Sequence, residues 1–136
     1  MTLISSWNAA LLSEGRVTDA EVVALEEASL EGLGACGAPA ASRRAGVRRD
    51  LDAILGQSRD AYETARAAFY ELSPEQSAAC ALLPSDCARS RTAATARQVE
   101  RAAALEALLN AKATLAQAEA LDHRLSARFW TGPCGH

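Results

Sequence analysis

From about Ala40 to Leu72 the apolar positions Val47, Leu51, Ile54/Leu55, Ala61/Tyr62, Ala65, Ala68/Phe69 and Leu72 recur in alternating steps of three and four residues. Side chains of a strand return to the same face every second residue, so a three-four rhythm of this length marks one stripe of a helix. At 1.5 Å per residue the stretch predicts a single helix roughly 50 Å long. A second run, Val99, Leu105, Leu108/Leu109, Leu115, Leu121, Leu125 and Phe129 with alanines between, predicts another helix. Capped by Ser85 and ending before Thr131-Gly132-Pro133, it would be roughly 67 Å long. Composition supports the same class: 32 of the 136 residues are alanine and only 4% are aromatic. A core of Ala and Leu suits close-packed helices better than sheets, which favour β-branched and aromatic side chains.

The shorter elements follow from punctuation. Leu3, Ile4, Trp7, Ala10 and Leu11 form one apolar stripe, predicting a helix over about 2–13 that Gly15 ends. Thr18 and Glu21 have capping-box spacing, so a second helix should start at Asp19 and bury Val22, Val23, Leu25, Leu30 and Leu33. Gly32, Gly34 and Gly37 with Pro39 then break the pattern. Ser73-Pro74-Glu75-Gln76 reads as a restart, with Ser at the N-cap and Pro at the first helical position, opening a short corner helix that Pro84 ends. Within the first long helix Ser58 fills one core step, and Gly56 predicts a slight bend or a close helix approach. The expected fold is an all-α helical bundle, one domain over residues 1–136. It is built on two long antiparallel helices with a short corner helix and an N-terminal helical hairpin.

Four cysteines in a chain of this size suggest two disulfides and an oxidising compartment. If the long helices are antiparallel, the end of the last one returns towards the start of the first. The topology then pairs Cys36 with Cys134 and Cys80 with Cys87. The first bridge would close nearly the whole domain and contribute up to about 4–5 kcal/mol in the chain-entropy model; the second would fasten the corner for less. Residues 1–8 are too polar for the apolar region of an export signal. The expectation is therefore a mature periplasmic or secreted protein, with a cytoplasmic or virion protein carrying four thiols as the alternative. Cys36, Cys134 and His136 offer sulfur and nitrogen ligands, but zinc sites use tighter cysteine spacing than the six residues separating Cys80 from Cys87. No metal and no cofactor are expected.

Charge narrows the partners. Fourteen basic against 17 acidic residues give −3, which does not draw the chain to nucleic acid, and no stretch is apolar enough for a membrane span. Arg43, Arg44, Arg48 and Arg49 form the one basic cluster, suited either to a phosphate or an acidic partner or to the acidic N-terminal hairpin with its Glu14, Asp19, Glu21, Glu26, Glu27 and Glu31. Trp7 and Trp130, brought with Phe129 to the pole near Cys36, either seal the core or mark a partner site. No catalytic constellation is present. Gly32-Leu33-Gly34 follows a helix instead of a strand, unlike a phosphate-cradling loop. His123 reads as a surface residue between Asp122 and Arg124. Asp122 is the one acid on an apolar row, sharing it with Leu115 and Phe129.

Leu72-Ser73-Pro74-Glu75-Gln76 resembles the LTxxQ element of periplasmic helical-hairpin proteins of the Spy/CpxP type, with Ser in place of Thr and one copy of the element. The resemblance implies an envelope-stress chaperone or metal-responsive regulator. Taken together, the residues predict a non-catalytic extracytoplasmic protein-binding or scaffold module stapled by two disulfides, with a protein partner and room for a homo-oligomer. A structural or assembly protein of a larger particle, such as a virion or secretion component, is the alternative. A periplasmic metal-binding or stress-sensor hairpin comes third.

Overall fold

A computed structural model describes residues 2–30, 38–72 and 84–129, with side chains described over 2–30, 39–72 and 95–128. Four helices follow in order: α1 (Leu3–Glu14), α2 (Asp19–Leu30), α3 (Ala38–Glu71) and α4 (Pro84–Phe129). Among the described residues there is no strand. The ends of α1 and α2 are written locally. Thr2 caps α1, its Oγ1 accepting from the Ser5 N–H at 3.2 Å. Gly15 closes it in the left-handed region (φ 73°), where its N–H reaches the Leu11 carbonyl. That conformation is one a residue with a Cβ adopts only at a cost.

Thr18 and Glu21 make the expected capping box. The Glu21 carboxylate accepts from the Thr18 N–H at 3.1 Å, and the Glu21 N–H donates to the Thr18 hydroxyl at 3.3 Å. Val17, just before this cap, and Val22, four residues into the helix, are both buried. These are the positions of a hydrophobic staple, which fixes the angle at which the chain enters α2. The four-residue connection is therefore as well determined as the helices it joins.

α3 and α4 run antiparallel. Arg48 near the start of α3 meets Asp122 near the end of α4, and Phe69 near the end of α3 meets Arg101 in the first half of α4. The α1–α2 hairpin lies across this pair, α1 on α3 and α2 on α4. Leu3, Trp7, Val17, Val22 and Leu25 meet Leu51, Ile54 and Leu55 of α3 and Ala118, Leu121 and Leu125 of α4 in one core. That core occupies one end of the molecule. Among the described side chains, every buried residue of α3 lies at or before Ser58, and every buried residue of α4 at or after Thr114. The reason is length: α1 and α2 have 12 residues each, about 18 Å, whereas α3 has 34 and α4 has 46, about 51 and 69 Å. Beyond the reach of the short hairpin, no other helix among the described residues lies on the long one.

Three expectations are corrected. Ser85, expected to cap the last helix, lies inside it: α4 opens one residue earlier at Pro84, whose ring fixes a helical φ and lacks only an N–H the first turn leaves unused. Gly56 is exposed and a Cβ there would meet nothing within 4 Å, so no neighbouring helix uses its small size. Val99, Leu105 and Leu109, expected in the core of the last helix, are exposed. α4 carries two apolar stripes: Ala104, Leu108, Ala111 and Leu115 turn towards α3, while Val99, Leu105 and Leu109 turn away. The corner helix over 74–83 lies outside the described residues, as do Cys36, Cys80, Cys134, Trp130 and His136. Cys87 stands in the first turn of α4 with its side chain outside them, so the expected pairings Cys36–Cys134 and Cys80–Cys87 fall there too.

Candidate functional site

The four clustered arginines separate by role. Arg44 is buried. Arg48 is tied into the structure, donating from Nε to Asp52 at 3.0 Å and from Nη1 to Asp122 at 2.8 Å, with Ser126 at 3.5 Å. Burial alone would lower the Arg48 pKa, but hydrogen bonds to Asp52 and Asp122 and their charges outweigh it, so the guanidinium is held above its ordinary value. Asp122, the acid that seemed stranded on an apolar row, is thus half of an ion pair locking α3 to α4. Arg43 and Arg49 are exposed and line an open cleft of about 420 Å³ together with Asp50 of α3 and Leu3, Ser6 and Ser29 of the N-terminal hairpin. Asp50 also accepts from the Ile4 N–H at 3.4 Å.

Glu26 of the acidic hairpin finds its counter-charge on α4. Glu26, whose side chain is 8% exposed, accepts from Arg124 Nη1 at 2.9 Å and lies 3.3 Å from Arg128 Nε. At Glu26 the charge complementarity expected from the arginines of α3 comes instead from Arg124 and Arg128 of α4. Trp7 is fully buried between the hairpin and α3 and α4, and so offers no surface to a partner. Its expected gathering with Trp130 falls partly outside the described residues. Among the described residues no three His, Cys, Asp or Glu side chains gather as a metal site, and no helix is long and apolar enough to cross a membrane.

Two features remain, and both lie where the core stops. The first is a cleft of about 510 Å³ beneath the α1–α2 corner, with Leu11, Ser58, Ala61, Ala107, Ala111 and Thr114 among its walls. No charged residue lines it. The Ser58 and Thr114 hydroxyls, one from each long helix, are buried there without a hydrogen-bond partner. The second is the bare half of the α3–α4 hairpin. Its inner seam is held by half-buried Tyr62, Phe69 and Leu108, with the Arg101 guanidinium 4.4 Å from the centre of the Phe69 ring. Phe69 meets Tyr70 edge-on at 5.5 Å, and Arg66 lies over Tyr70 at 5.7 Å. Outside the seam, Tyr70, Val99 and Leu109 are each more than half exposed, and Leu105 is 40% exposed.

The sequence signal for this surface was the excess of apolar positions on α4: more than one stripe's worth, which a two-helix contact cannot bury. Comparison with protein-family models, with curated proteins and with solved structures found no match for this chain.

Proposed function

We propose that the chain is a non-catalytic helical scaffold module that binds protein through the bare half of its long hairpin. One observation carries this reading: the core ends at Ser58 and Thr114, yet α3 and α4 continue past it with Tyr70, Val99, Leu105 and Leu109 exposed. An isolated two-helix hairpin buries only one stripe of each helix, and contiguous apolar surface beyond that stripe is characteristic of interaction sites. The rigid four-helix end would serve as the base that holds the hairpin straight.

The reading includes an oxidising compartment outside the cytosol, with the four cysteines paired as Cys36–Cys134 and Cys80–Cys87. Intact mass of the unreduced, denatured protein tests that part. A mass lower by about 4 Da with no thiol alkylated supports it, since each disulfide removes two hydrogens, and four labelled thiols overturn it. The binding surface is tested by placing a photo-crosslinking residue at Leu105, at Tyr70 and at the exposed Ala53 of the four-helix end, in cells that make the protein. Discrete adducts at Leu105 and Tyr70 but not at Ala53 are expected. No adduct at either site, or equal yield at Ala53, refutes the surface.

A further inference from the structure

The cleft beneath the α1–α2 corner interrupts rows of residues that build the core. Positions seven apart on a helix fall within about 20° of one line along it. Leu121, Thr114 and Ala107 share such a row of α4: the first is fully buried, the second is 6% exposed and the third is exposed. On α3 the row Leu51, Ser58 and Ala65 repeats the order, with Ser58 3% exposed, and the row beside it passes from buried Ile54 to exposed Ala61. Each long helix thus leaves the four-helix end through a large apolar side chain, then a hydroxyl, then an alanine. Alanine leaves unfilled the volume a leucine would take, and Leu11 and Gly15 of the corner bound that volume from the other side.

We infer that this cleft binds a small neutral molecule with an apolar body and one hydroxyl or carbonyl group. Its volume of about 510 Å³ lies within the roughly 300–1,000 Å³ of small-molecule pockets. Among the described residues no charged side chain lines it, so an ion entering would lose its water and meet no counter-charge. The alanines and Leu11 favour an apolar body. At the inner end stand the Ser58 and Thr114 hydroxyls, one from each long helix, with no hydrogen-bond partner among the described residues.

Buried side-chain hydroxyls nearly always have a partner, and two without one on a single cleft lack an explanation within the chain. A hydroxyl both donates and accepts, so a ligand oxygen that reaches either residue removes a deficit that packing leaves in place. A helical threonine has two populated χ1 positions, so Thr114 can turn its oxygen towards a ligand without leaving a rotamer well. Alanine at 58 and valine at 114 would favour the fold alone. Departures of that kind are expected where a site is being served. The inference does not rest on protein binding by the bare half, because Tyr70, Val99, Leu105 and Leu109 are not among the residues of the cleft.

Titrating the nitrogen-15-labelled full chain with p-cresol and following its amide NMR signals tests the site. p-Xylene, in which a methyl group replaces the hydroxyl, and the anion p-toluate serve as comparisons. p-Cresol is expected to shift the amides of 57–61 and 107–114 with a Kd of about 1 mM, p-xylene to shift the same amides with about tenfold lower affinity, and p-toluate to leave them unmoved. The S58A/T114V double variant should bind p-xylene at least as well as wild type does and bind p-cresol within about twofold of p-xylene. A107F, at an exposed position, should stop both by filling the cleft. No p-cresol shift at these amides up to about 10 mM, or shifts confined to other parts of the chain, overturns the site. Binding of p-toluate as tight as that of p-cresol overturns the neutral ligand, and a tenfold preference for p-cresol that survives in the double variant overturns the part given to the hydroxyls.

Discussion

Replacing Thr114 by Val should stabilise the protein. Thr114 is 6% exposed and its Oγ1 has no hydrogen-bond partner, a state shared by the Ser58 Oγ across the same uncharged cleft. A buried hydroxyl that has given up its water without finding a new partner costs about 1–3 kcal/mol. Valine keeps the shape and the β-branching, so the helix propensity scarcely changes, and it substitutes a methyl group worth somewhat under about 1 kcal/mol of further apolar burial. The expected net gain is about 1–2 kcal/mol, or an increase of roughly 3–6 °C in Tm for a domain of this size. Urea and thermal unfolding followed at 222 nm measure it. Ser58→Ala should also gain, partly through the roughly 0.5 kcal/mol by which alanine is the better helix former. If the hydroxyls are independent the double variant adds; if one ordered water bridges them, the first substitution costs stability and the second costs less. A Thr114→Val protein that is less stable than wild type would refute the claim that this hydroxyl is unpartnered.

Two further substitutions test where the stability resides. Leu121→Ala, in the core at 0% exposure, should cost about 2–5 kcal/mol in urea unfolding, whereas Leu109→Ala on the bare half should cost under about 1 kcal/mol at concentrations where the chain is monomeric; equal costs would contradict a core confined to one end. Glu26→Gln should cost about 1–2 kcal/mol, because it strips the charge from a buried acceptor that Arg124 and Arg128 share, and a loss under about 0.3 kcal/mol would show that the pairs contribute as little as ordinary surface ion pairs.

Where a residue's role is set by its immediate neighbours in sequence, the sequence was enough. Thr18 and Glu21 are three apart and make their bonds within one turn; Gly15 needs only its own left-handed backbone; the three-four rhythm of α3 concerns a single helix. Roles set by an element far along the chain were not legible. Asp122 looked misplaced on its apolar row because its partner, Arg48, is 74 residues away. Glu26 was matched to the nearest basic cluster, whereas the antiparallel return brings Arg124 and Arg128 to it. Val99, Leu105 and Leu109 looked like core because a helical rhythm says only that a face is apolar, not that another element is long enough to cover it. Val17 escaped notice for the opposite reason: a lone apolar residue in a turn has no rhythm, and its burial depends on the staple with Val22.

The same mismatch of lengths links the fold to its proposed use. Among the described residues, the part of the long hairpin beyond α1 and α2 has few buried apolar side chains, so it draws little stability from itself and depends on the four-helix end that continues it. Sequence could have shortened α3 and α4 to the reach of α1 and α2, or filled the outer face of α4 with lysine and glutamate, as solvent-exposed helices commonly are. Instead that face keeps Leu105 and Leu109 exposed beside alanines. Alanine serves an exposed helix through its propensity alone, but large side chains such as Leu105 and Leu109 left in water form apolar surface of the kind that marks an interaction site.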